Sequence, residues 1–108
     1  MLERDFQSKI VKRLKSMGAI VIKYEQNATT IQGFPDLLFF KGPFYGALEV
    51  KKSKGARFQP LQKEWLAKLD EMSYARAIYP ENFEEIMGEI KEYFGEWGDN
   101  LLQMRWHP

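Results

Sequence analysis

Four polar side chains stand where the apolar pattern of this 108-residue chain would exclude them. Asp36 opens the apolar run DLLFFK, and Glu49 and Lys51 close the run ALEVKK as a Glu-x-Lys. On a helical wheel, Glu3 falls inside the apolar arc of Phe6, Ile10, Leu14 and Met17, so it is expected to face the sheet. Gln62 falls in the same way inside the stripe of Leu61, Trp65, Leu66, Leu69 and Met72, whereas Lys63, Glu64 and Asp70 lie outside it. Each exception has a plain alternative: a dipole partner at a helix start for Glu3, a peripheral position for Gln62, an exposed ion pair for Glu-x-Lys, turn chemistry for Pro-Asp. That all four can point at one place favours a site.

Carboxylates crowded into one site repel one another unless a cation sits among them. Mg²⁺ suits such a place, since it takes hard oxygen ligands and is held by one or two carboxylates, waters and a substrate phosphate. Asp36 and Glu49 are the expected ligands, with Glu3 bonding directly or through a water. Lys51 would add positive charge beside an attacking water or a pentacovalent phosphorus. The chemistry this suggests is phosphodiester hydrolysis. Lys9, Lys12, Arg13, Lys52, Lys54 and Arg57 are candidates for holding a nucleic-acid backbone, a contact that weakens as salt rises.

The elements that must position these residues are legible from periodicity. Residues 3–17 read as a helix stopped by Gly18, 19–24 as a strand, and 26–33 as a polar loop. Residues 36–41 and 47–52 read as a hairpin around a four-residue loop, Gly42 to Tyr45, with Pro43 suited to a type I turn. Antiparallel partners then sum to 87, so residue 38 opposes 49 and 36 opposes 51, and Asp36, Glu49 and Lys51 share one face. A second helix begins near Pro60, a fourth strand covers 74–79, and a third helix runs from Glu81 to Phe94 with Phe83, Ile86, Met87, Ile90 and Phe94 on one face. The tail, 96–108, has no clear period despite its aromatic residues.

Composition bounds the rest. The length fits a single domain, 1–108, with a core over about 1–80, a helix over 81–95 and an unassigned tail. With no cysteine, thiolate metal sites and cysteine nucleophiles are excluded, and the absence of disulfides fits a reducing compartment. No apolar run approaches about 18 residues, so no membrane span is expected and the cytoplasm is the default. The net charge of +1 hides a separation: residues 1–63 hold 12 Lys or Arg against 5 Asp or Glu, and residues 80–108 hold 2 against 7. A basic front suits a polyanionic partner.

Pro35-Asp36 followed by Glu49-Val50-Lys51, in an αβββαβ order, resembles the PD-(D/E)XK nuclease superfamily. Glu3 on the first helix, Gly33-x-Pro35-Asp36 and Gln62 at the start of the next helix resemble its VRR-NUC branch, related to Holliday-junction resolvases. Phe58 or Gln59 stands where that branch often has a small polar residue. The resemblance covers residues 1 to about 80. It implies an α/β, restriction-endonuclease-like core with a mixed sheet plus a C-terminal helix, and hydrolysis of DNA dependent on Mg²⁺ or Mn²⁺. It further implies Asp36, Glu49 and the Val50 carbonyl as metal ligands, Glu3 as an auxiliary carboxylate, Lys51 as base partner or charge stabiliser, and Gln62 as an orienting residue. A bacterial or phage gene is the expected setting. Glu25 is a weaker candidate on an exposed loop, and His107 is expected to be incidental. With little chain left for reading bases, selectivity for DNA shape is expected. A homodimer is expected too, since one such site cuts one strand, with the tail or the third helix as contact surfaces. A binding module that does not cut, and a nuclease for single strands or flaps, are the alternatives.

Overall fold

The structure, a computed structural model, describes residues 2–27 and 29–95. The first helix, α1 (Glu3–Ser16), buries Phe6, Ile10 and Leu14, each one turn apart, and carries acids in its first turn and bases in its last. It ends in a Schellman arrangement: Gly18, at φ 88°, donates to the Lys15 carbonyl and Ala19 to that of Leu14. Strands β1 (Ile20–Lys23), β2 (Leu37–Lys41) and β3 (Phe44–Val50) form an antiparallel meander. Helix α2 (Gln62–Met72) then crosses over to β4 (Ala75–Ile78), which pairs parallel to β3. The result is a mixed sheet of four strands in the order β1-β2-β3-β4, as the αβββαβ reading expects.

A 3-10 turn at Pro80–Asn82 leads into α3 (Phe83–Ile90) and a wider, π-type turn at Lys91–Gly95. Asn82 secures the junction by accepting from the Tyr79 N–H and donating to the Ala77 carbonyl, so Pro80 begins the helical segment. The expected apolar face of α3 is buried in full, Phe94 included. Helices α1 and α3 cover one face of the sheet, over Leu37, Phe39, Leu48, Val50 and Ile78. Helix α2 covers the other, where Leu69, Trp65 and Leu66 meet Ala47, Ala75 and Leu38.

The α2 stripe is shallower than the sequence suggests. The helix starts at Gln62, after Pro60, and Leu61 holds a left-handed φ of 74° that no α-helix accommodates. Leu61 is 48% exposed and Met72 75% exposed, and neither joins the cluster that α2 forms with the sheet. The tail and His107 lie outside the described residues. Among those described, no helix is long and apolar enough to cross a membrane.

Candidate active site

The hairpin fixes the site, in a register different from the one expected. Pairing runs from Lys41 opposite Phe44 to Leu37 opposite Leu48, so partners sum to 85 and the connection is the two-residue turn Gly42-Pro43. Gly42 has φ 59°, and proline cannot follow with a positive φ, which selects a II′ rather than a type I turn. Phe44 and Tyr45 join the strand, and Gly46 comes opposite Phe39, whose ring lies 2.3 Å from where a Cβ on Gly46 would stand. Because partners on β3 move by two residues, the faces are preserved. Asp36 is therefore level with Glu49 rather than with Lys51, and Asp36, Glu49 and Lys51 still share the face covered by α2.

Asp36 lies one residue before the ladder begins, and its Oδ2 accepts the Val50 N–H at 2.8 Å in place of a backbone partner. A strand residue's N–H and C=O lie on the same edge, so the Val50 carbonyl faces the Asp36 side. Glu49 is 3% exposed; its Oε2 accepts from Gln62 Nε2 at 3.0 Å. Its Oε1 is buried with no hydrogen-bond partner among the described residues. The neighbouring Asp36 carboxyl offers only acceptors unless a proton or a cation lies between the two acids. Burial chiefly, then the charge of the neighbouring Asp36, push the Glu49 carboxyl up to about 8, against the opposing pull of Lys51.

Gln62 and Lys51, each 8% exposed, complete the centre. Lys51 Nζ donates to Gln62 Oε1 at 2.7 Å and to the Arg57 carbonyl at 3.1 Å, with Glu49 Oε2 3.8 Å away. The ammonium also sits 4.7 Å from the centre of the Phe58 ring. Gln62 Oε1 takes a second donor, the Gln59 N–H, at 2.7 Å. Gln62 is brought this close by Gly33: a Cβ there would lie 2.8 Å from Leu61 Cβ and 3.0 Å from the Gln62 nitrogen. Only glycine, at φ 79°, lets the strand leading to Asp36 run under the start of α2.

Other expected residues stand further off. Glu3 is exposed at the first position of α1; its charge is felt at Glu49, but among the described residues no group of three acids or other ligands is arranged to hold a metal. The expected cluster of three acids is therefore a pair, Asp36 and Glu49. Lys9 and Arg13 stack on Phe83, at 4.4 and 5.0 Å from its centroid, and Arg13 pairs with Glu84 at 2.8 Å. Lys12 lines a shallow groove along α1 with Asp5, Ser8 and Ser16. Lys52, Lys54 and Arg57 are exposed on the loop that supplies the Arg57 carbonyl, and the Lys54 N–H is tied to Glu81. Glu25 is exposed. Sequence reasoning missed the part Phe58 plays against Lys51; an aromatic residue between Arg57 and Gln59, close in sequence to the Glu-x-Lys, was the signal available.

A divalent cation fits the donor set. An orphaned, buried carboxylate oxygen facing a second acid is the arrangement a hard cation would satisfy, and Asp36, Glu49 and the Val50 carbonyl are the groups at hand.

The fold is similar to that of a solved structure described as "VRR_NUC domain protein", with a TM-score of 0.63 at 19% sequence identity, over 86% of this chain and 88% of that one. No family model and no curated protein matches the sequence. The likeness therefore concerns the fold alone.

Proposed function

We propose that this chain is a metal-dependent DNA endonuclease that hydrolyses phosphodiester bonds and selects branched structures such as Holliday junctions. The observation that carries the reading is Glu49: a buried acid with one oxygen unpartnered, set against a second acid and beside a lysine held in place on two sides. A core carboxylate without such a role would be a net cost to the fold.

Asp36, Glu49 and the Val50 carbonyl would hold Mg²⁺, with Mn²⁺ as a substitute. When bound, the ion would neutralise phosphate charge and make a coordinated water more acidic. The protein's own groups do the positioning. Gln62 fixes the Glu49 carboxylate through Nε2 and the Lys51 ammonium through Oε1. Lys51 donates to Gln62 and to the Arg57 carbonyl, and its remaining N–H would meet an oxygen of the phosphate or the attacking water. Lys52, Lys54 and Arg57, exposed on the loop after β3, would hold the flanking backbone, while Lys9 and Lys12 offer a second contact along α1. Arg13 is already engaged by Glu84.

Paired cuts across a junction would require a two-fold dimer. Among the described residues the apolar face of α3 is spent on the core, and the free edge of β1, where Ile20 and Ile22 are exposed beside Phe40, offers a surface for it; the tail lies outside the described residues. A monomer by light scattering at micromolar concentration would remove the dimer and leave the cleavage reading intact.

The decisive experiment incubates labelled four-way, flap, linear duplex and single-stranded DNA with the wild type and Glu49→Ala, in Mg²⁺ or EDTA. Cutting of the junction that needs Mg²⁺ and disappears with Glu49→Ala is expected. Cutting in EDTA, or cutting that survives the substitution, would refute the site, and binding without cutting would leave a nucleic-acid-binding module.

A further inference from the structure

Among the described residues, Leu61 is the one non-glycine residue with a positive φ, at 74°. Leucine is poorly suited to that region, and glycine would relieve the strain. Burial does not offset it, since the side chain is 48% exposed and belongs to neither core cluster. Strain of this kind, where the fold gains little from it, is an outlier from which function can be inferred.

Its position gives the strain a meaning. Leu61 abuts Gly33 and directly precedes Gln62, whose amide holds Glu49 and Lys51. The loop before Gly33 is well anchored: Tyr24 Oη accepts the Ile31 N–H, and Trp65, one turn beyond Leu61, donates to the Gln32 carbonyl. That loop carries Ile31, also exposed. Two exposed aliphatic side chains thus border the seam where the Gly33 segment crosses the start of α2, next to the candidate centre.

We propose that Leu61, assisted by Ile31, is the nucleic-acid contact that selects structure, its side chain laid against base faces next to the phosphate held at the site. The inference rests on the nuclease reading and deepens it. An aliphatic group has nothing to offer a phosphate, which the lysines of the 52–57 loop serve; it gains by covering a base or wedging a base step. In continuous duplex those faces are stacked on one another. At branch points, flaps and single-stranded ends they are open, so a contact of this kind prefers them without reading sequence.

The test measures binding by fluorescence anisotropy with Ca²⁺ in place of Mg²⁺, for a four-way junction and a linear duplex of the same sequence. The wild type should favour the junction. Leu61→Gly should melt at the same or a higher temperature, because the strain is relieved, yet its junction-to-duplex affinity ratio should fall about tenfold. Leu61→Asn, also tolerant of the left-handed region, should behave like Leu61→Gly, and Leu61→Met should restore the ratio. A wild type without junction preference, or glycine and asparagine variants that keep it, overturns the proposal. So does a loss of the ratio that Leu61→Met fails to restore. A wild type that binds junctions selectively but cuts no DNA overturns the nuclease reading alone.

Discussion

Gln62 Nε2 donates to Glu49 Oε2 at 3.0 Å, and this one bond sets which way the amide faces. With the nitrogen committed to the carboxylate, Oε1 turns to Lys51 and the Gln59 N–H. A neutral side chain thereby fixes an acid and an ammonium, two residues apart at the end of β3, without neutralising either. Gln62→Leu keeps the volume but leaves a buried carboxylate short of a donor and a buried ammonium short of an acceptor. The expected result is a loss of about 2–5 kcal/mol in urea unfolding and a fall in cleavage rate of at least about tenfold. Stability within about 0.5 kcal/mol of wild type would mean that the amide is not holding these groups.

Glu49 makes the fold sensitive to pH. Its carboxyl is raised from 4.5 to about 8, so between those values the folded chain keeps a proton that the unfolded chain has released. More protons bound when folded means that stability is full below about pH 4.5 and is lost as pH rises through 8, by a few kcal/mol. Without metal, melting temperature should fall across this window. Glu49→Gln, which still offers an oxygen to Gln62 and an amide to Asp36, should abolish the fall. Mg²⁺ should reduce it in the wild type and leave Glu49→Gln unmoved, because a cation takes the place of the proton. Parallel melting curves for wild type and Glu49→Gln without metal would show that Glu49 titrates normally.

Gly33 is required by both conformation and space. Alanine there would have to adopt φ 79° and place a Cβ within 3.0 Å of Leu61 and Gln62. Gly33→Ala is expected to cost about 1–3 kcal/mol and to lower cleavage by displacing Gln62 from Glu49. Gly55→Ala supplies the control: the added methyl meets nothing within 4 Å, so its effect should stay within about 0.5 kcal/mol. Equal stability and equal cleavage for the two variants would contradict the contact.

Much of this was legible in the sequence, for identifiable reasons. The apolar spacing of Phe6, Ile10 and Leu14 and that of Phe83, Ile86, Met87 and Ile90 have one physical solution, burial on the sheet. Alternation put Asp36, Glu49 and Lys51 on one face, and that survived a wrong register because the error was an even number of residues. The register itself turned on a local choice between two turns. Gly42 before Pro43 permits the tighter one, and the empty position at Gly46 lets the Phe39 ring lie across β3. The burial of Gln62 was visible as a polar break in a stripe; the strained Leu61 was not, because a helical wheel treats it as one more apolar position. Glu3 shows the opposite limit: a place inside the apolar arc of the wheel, yet an exposed side chain at the first position of α1.

Phe58 completes the setting of Lys51. Its ring takes the Lys51 ammonium at 4.7 Å and, on the next helix, the Lys63 ammonium at 5.3 Å, so one aromatic side chain joins the loop after β3 to α2. Such contacts contribute about 0.5–2 kcal/mol, more where the cation is screened from water, as Lys51 is. Phe58→Leu keeps an apolar side chain while removing the ring's negative face, and Phe58→Tyr keeps both. If the ring positions Lys51, Phe58→Leu should lower kcat roughly three- to thirtyfold with KM nearly unchanged, and Phe58→Tyr should recover most of it. A ring that merely fills space would give a leucine variant with ordinary kcat. A ring that instead touches the nucleic acid would raise KM and spare kcat.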